Sequence, residues 1–159
     1  MKFSAISLVL LLFGCCASLC DKTPDEQFVQ VYLHHGYYND INTFDQTLQK
    51  DLVPGTVRIP FWFTKREQEI ILTNAERFYF FSFPDTVYKQ PNEDTDPDFG
   101  AQTLRIRVGN KDKTIVWFEP HDKRFKYYPL LIELRNLIID IVVSKPEYKE
   151  LPSTKGGYQ

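Results

Sequence analysis

The amino-acid sequence predicts an α+β domain: an antiparallel sheet of about five strands with two helices packed on one face, in the order β-β-β-α-β-β-α. Three observations carry that reading. Leu104, Ile106 and Val108 alternate with Arg105 and Arg107, which is a strand with one dry and one wet face. Thr64-Lys65-Arg66-Glu67 is a capping box that opens a helix. Pro129 precedes a wide apolar stripe of Leu130, Leu131, Leu134, Leu137, Ile138, Ile141 and Val142, at helical spacing.

The chain begins with a targeting segment. Met1-Lys2 supplies a positive charge, Ala5 to Phe13 (AISLVLLLF) is an apolar run, and small residues follow. That is the layout of a secretory signal peptide, assigned to residues 1–20. The run is too short for a membrane-spanning helix, which needs about 20 apolar residues. All three cysteines, Cys15, Cys16 and Cys20, fall in this segment, so the domain behind it has none for disulfide staples. Residues 21–27 are charged and read as a tether.

Phe28 to Leu33 is rich in β-formers and reads as the first strand, ending in a turn region at His34-His35-Gly36. A second strand is expected around Asn42–Gln49. Pro54-Gly55 marks a turn, and Thr56–Phe63 reads extended, with Pro60 pointing to an edge or an irregularity. Behind the capping box, Ile71, Ala75 and Phe78 predict a helix over about 65–79. Phe80 to Pro84 is expected to be extended, and Asp85 to Gly100 to be a long polar loop. Thr103–Val108 and Thr114–Phe118 form a hairpin about Gly109-Asn110. The second helix is expected to end near Lys145-Pro146. The domain is thus 28–146, and 147–159 reads as a polar tail.

Composition narrows the function. Loss of residues 1–20 leaves 18 Lys and Arg against 21 Asp and Glu, so no global field attracts nucleic acid or an anionic membrane. Aromatic residues make up 15% of the chain, enough to build a core without disulfides. Catalytic templates mostly fail. Behind the targeting segment the serines are Ser82, Ser144 and Ser153, none in a Gly-x-Ser-x-Gly elbow. There is no His-Glu-x-x-His, phosphate-cradling loop or dinucleotide fingerprint, so no cofactor or metal is expected.

Three weaker constellations remain. His34-His35, with His121-Asp122, could form a metal or acid–base pair, but adjacent strand residues point to opposite faces. Glu93-Asp94-Thr95-Asp96-Pro97-Asp98 is acidic but lacks EF-hand spacing, so it reads as a solvated loop. The doublets Tyr37-Tyr38 and Tyr127-Tyr128, with Trp62 and Trp117, could anchor a protein or glycan, although a small sheet also needs such side chains in its core. The expectation is a non-catalytic domain that binds a protein or glycan through its sheet face or turn aromatics. The alternative is a small envelope hydrolase using Glu119, His121 and Asp122.

Leu12-Phe13-Gly14-Cys15 resembles a bacterial lipobox, in which the cysteine thiol takes a diacylglycerol; the charged stretch after Cys20 makes that residue the alternative. Without lipidation, cleavage near Ala17–Cys20 would release a soluble protein. The capped helix ending in aromatics, the hairpin, the Leu/Ile-rich helix and the tail carrying Pro146-Glu147-Tyr148, Leu151-Pro152 and Gly156-Gly157-Tyr158 complete the pattern. Together they resemble small uncharacterised lipoproteins of Bacteroidota-type bacteria. The resemblance implies a lipid-anchored envelope location and this fold, with no activity attached.

Overall fold

Period-two alternation and the two helical stripes fold as one sheet with helices on its apolar side. The computed structural model describes residues 28–36, 39–52, 55–84, 86–87, 101–118 and 126–153. The strands are β1 (Val29–His35), β2 (Asn39–Asn42), β3 (Thr47–Leu52), β4 (Gly55–Pro60), β5 (Thr86–Val87), β6 (Ala101–Val108) and β7 (Lys111–Phe118). Helix α1 spans Lys65–Arg77, α2 Tyr128–Ser144 and α3 Pro146–Lys149. The strand order is β4-β3-β2-β1-β6-β7-β5. Every neighbouring pair is antiparallel except the two-residue β5, which runs parallel to β7.

The α+β class and the helix positions are as expected, while the strand count rises from about five to seven. The stretch expected to hold one strand, Asn42–Gln49, holds the end of β2 and the start of β3, joined by a turn. Asn42 makes that turn: its side-chain oxygen accepts from the amides of Phe44 and Asp45, and Gln46 adopts φ 55°. Thr43 ties the turn to β1. Its amide donates to the Val31 carbonyl at 2.8 Å, and its hydroxyl accepts from the Val31 amide at 2.7 Å.

Two further boundaries move. The first strand continues through both histidines, so His34 and His35 are strand residues and not part of a turn. Phe80–Ser82 is a turn of 3-10 helix, not extended chain, because Tyr79 enters the left-handed region at φ 58° and folds the chain back. That reversal buries Phe80 and Phe83.

The core gathers the inward residues of five strands (Val31, Leu33, Ile41, Leu48, Ile106 and Ile115 among them) against both long helices in one cluster. From α1 come Ile71 and Ala75; from α2 come Leu131, Leu134, Ile138 and Val142. The helices are also joined by charge. Lys145, buried at the end of α2, places Nζ 2.8 Å from Glu67 Oε2 in the capping box of α1. Beyond it the stretch read as a polar tail forms α3, and Tyr148 and Leu151 pack against the core. Lys50 of β3 lies over the Tyr148 ring and donates to the Pro152 carbonyl at 3.0 Å. Among the described residues no helix is long and apolar enough to cross a membrane.

Candidate binding face on the open side of the sheet

Because the helices occupy one side, every second residue of the sheet faces the other way. None of the described side chains on that outer face is buried. The register sets its side chains in rows: Asp40 on β2 beside His34 on β1 beside Thr103 on β6, and Asn42 beside Tyr32 beside Arg105. Arg107 of β6 lies opposite Asp112 of β7. Two clusters result.

The first centres on Asp40. Its carboxylate accepts from His34 Nδ1 at 2.6 Å. The His34↔Asp40 pair lies between two hydrogen-bonded pairs of the ladder, since the Thr43 amide donates to the Val31 carbonyl on the same register. Such non-hydrogen-bonded positions bring side chains closest. Tyr32 also donates to Asp40; burial, then the Asp40 charge, then that bond push the phenol pKa up, so it stays protonated. His35 points to the opposite face, as adjacent strand residues must. Burial, followed by the nearby Arg135 and His34 charges, lowers its pKa to about 4. Arg135 of α2 donates to the side chain of Gln102, a buried polar residue at the same end of β6.

The second cluster is an arginine pair. Arg105 grips Asp112 with Nε at 2.9 Å and a terminal nitrogen at 2.7 Å. Arg107 reaches the same carboxylate at 2.9 and 2.8 Å. The Arg105 bond comes first among the causes that lower the Asp112 pKa to about 2, with the Arg107 bond and both charges adding to it against desolvation. Both guanidinium groups lie against the Phe44 ring from the β2–β3 turn, at 4.6 and 4.9 Å. At the rim, Arg58 of β4 donates to Gln49 of β3 at 2.7 Å.

Of the residues singled out from sequence, His34 lies in the first cluster and the others fall elsewhere. Cys15, Cys20, Tyr37, Tyr38, Glu119, His121, Asp122 and the acidic stretch 93–98 lie outside the described residues. Tyr127 and Tyr128 are half-buried against the core, and Tyr127 stacks on Phe83 at 4.9 Å. Trp117 is fully buried, whereas Trp62 is 59% exposed between β4 and α1. Among the described residues no three His, Cys, Asp or Glu side chains converge as metal ligands do.

Sequence reading missed Tyr32, Asp40, Phe44 and Asp112. A signal for Asp40 exists in the spacing. With Gly36 at φ 67° opening the turn between β1 and β2, the partner of His34 falls at position 40. No protein-family model matches the chain, and no curated protein shows significant similarity to it.

Proposed function

We propose that the chain is an exported, lipid-anchored protein of the bacterial envelope, and that its domain is a non-catalytic module that docks a protein partner on the open sheet face. The observation that carries the docking role is the pre-set state of that face. Asp40, Asp112, Arg58, Arg105 and Arg107 each hold a neighbour within the same surface. Side chains already held in place lose little rotamer entropy when a partner arrives.

Six antiparallel strands at about 4.8 Å spacing make the face on the order of 25 Å wide, the scale of a protein contact. A protein fits it better than a glycan. Within the two clusters, the Phe44 ring is covered by two guanidinium groups and the Tyr32 hydroxyl is held by Asp40. Intermixed charges of both signs favour a partner with complementary charges over a uniformly charged polymer. The export and lipid anchor rest on the charged start, the apolar run and the lipobox-like Gly14-Cys15, with Cys20 as the alternative acceptor.

Two measurements in the native host test this reading. A photo-crosslinking side chain at Thr47 or Thr114, on the open face, is expected to give a discrete protein adduct that Glu69, on α1, does not. Adducts of equal yield at all three positions, or none, would overturn the docking role, and a carbohydrate adduct would reassign the partner. Intact mass of the mature protein should show a diacylated cysteine at Cys15 or Cys20. An unmodified terminus after Ala17–Cys20 would remove the anchor.

A further inference from the structure

The open face is not the only exposed surface of the sheet. Strand β4 ends the sheet on one side, pairs only with β3 among the described residues, and is exposed or half-exposed along its length. An edge strand presents a row of unpaired backbone donors and acceptors.

The register says which groups these are. Phe61, just beyond β4, donates its amide to the Gln46 carbonyl at 2.9 Å, on the same register that pairs Ile59 with Leu48. Backbone groups in a strand alternate sides, so Ile59 and Val57 face β3, while Thr56, Arg58 and Pro60 face outward. The Asp51 amide agrees: opposite Thr56, it turns away from β4 and donates to the Asn39 side chain at 3.0 Å. Pro60 has no N–H to offer. The outward edge of β4 therefore carries two donors, the amides of Thr56 and Arg58.

We propose that β4 pairs antiparallel with β4 of a second copy of this chain, about a two-fold axis through Val57, to join the two sheets edge to edge. Three properties of the segment Pro54-Gly55-Thr56-Val57-Arg58-Ile59-Pro60 are symmetric about Val57 in the way this requires. First, Thr56 of one copy lies opposite Arg58 of the other, so both outward donors and their carbonyls are used in four backbone hydrogen bonds. Second, the pairing ends where the donors end, because Pro60 of each copy has no N–H to extend it. Third, Ile59 lies opposite Gly55, where an added Cβ would meet no atom within 4 Å, so the larger side chain has room. Arg58 faces Thr56 across the axis, so no like charges oppose one another. This pairing uses the edge and not the open face, so it stands apart from the docking role.

A substitution at the axis separates pairing from folding. Val57 lies beside Lys50 of β3, so Val57→Glu meets a lysine within its own chain. Across the axis the same variant sets two carboxylates in direct opposition, which destabilises a strand pair. Thr56→Pro removes one outward donor per copy and leaves the β3 ladder untouched. The experiment is sedimentation equilibrium on the full domain up to about 1 mM chain, the weak limit of specific association. Amide hydrogen exchange at Thr56 and Arg58 is followed in parallel.

The wild type is expected to dimerise with concentration and to slow exchange at those two amides. Val57→Glu and Thr56→Pro are each expected to weaken association at least tenfold while circular dichroism stays unchanged. Mixing Val57→Glu with Val57→Lys should restore the dimer. A wild type that stays monomeric throughout the range would overturn the proposal. So would a dimer that survives both substitutions, or edge amides protected only by a different protein.

Discussion

Tyr79 shows what one residue can cost. It sits at φ 58° with its side chain 69% exposed, in the left-handed region that disfavours every residue with a Cβ. Its amide donates to the Glu76 carbonyl at 3.0 Å, and its own carbonyl accepts from Ser82. The backbone reversal is therefore needed to swing Phe80 and Phe83 inward, whereas the ring is not. Tyr79→Gly is expected to stabilise the domain by about 1 kcal/mol, the usual cost of a side chain in this conformation. Urea unfolding would show it as a higher midpoint with an unchanged slope. A lower midpoint would mean that the ring contributes contacts which outweigh the strain. Trp117 is the inverse case. Its ring is fully buried and its Nε1 has no hydrogen-bond partner among the described residues. The apolar area that the indole buries offsets the cost of withdrawing its N–H from water.

At the scale of elements, the contact between helices has a defined electrostatic lock. Lys145 Nζ is nearly enclosed, lies 2.8 Å from Glu67 Oε2 and stands 5.5 Å from the Phe61 ring centre. Glu67 also accepts from the Thr64 amide at 2.7 Å, so one carboxylate caps α1 and anchors the end of α2. Its pKa falls because the Lys145 and Thr64 bonds together outweigh burial, the largest single effect and one that acts the other way. The two partners are not equivalent. Glu67→Gln leaves an ammonium in a dry site and is expected to cost about 3 kcal/mol, whereas Lys145→Met leaves Glu67 at a favourable helix start and should cost about 1 kcal/mol. The double variant should cost less than the sum in urea unfolding; additive losses would show that the pair does not couple. The same elements show what could be read from sequence. The capping box and the β6–β7 alternation were legible because their causes lie within eight residues. The break between β2 and β3 was not, since it depends on Thr43 binding Val31, twelve positions away. Nor was the reversal at Tyr79, where a non-glycine residue takes a glycine conformation. At the candidate site the wet face of β6 was legible. Asp40 and Phe44 were not, because Asp40 meets His34 of β1, and Phe44 the arginines of β6, only once the strand register is set.

For the whole molecule, these local shifts make stability depend on pH in two windows, an upper one set by His35 and a lower one to which the carboxylates Glu67 and Asp112 both contribute. His35 is folded with its imidazole lowered to about 4, whereas an unfolded chain titrates it near 6.5. Burial is the largest cause, and Arg135 from α2 and His34 beside it add positive charge, with Asp40 acting in the opposite sense. A folded pKa below the unfolded one means that the unfolded chain binds the proton first. Stability is therefore complete above about pH 6.5 and falls as pH drops towards 4. The loss is expected to reach about 2–3 kcal/mol at pH 4.5, since each pH unit across the window contributes about 1.4 kcal/mol. Asp112 belongs to the lower window. Its pKa of about 2 lies below the usual carboxylate range, so its contribution is present above about pH 4 and is lost as pH falls towards 2. The windows separate by substitution. His35→Asn keeps a polar group at the end of β1 but cannot take up a proton, so the loss between pH 6.5 and 4.5 should largely disappear while the decline below pH 4 stays. Urea midpoints measured for wild type and variant at half-unit intervals from pH 7.5 to 2 would resolve both. If the wild type were flat from 6.5 to 4.5, His35 would be taking up its proton in the folded state. The packing that buries His35 beside Arg135 would then have to open to admit the charge.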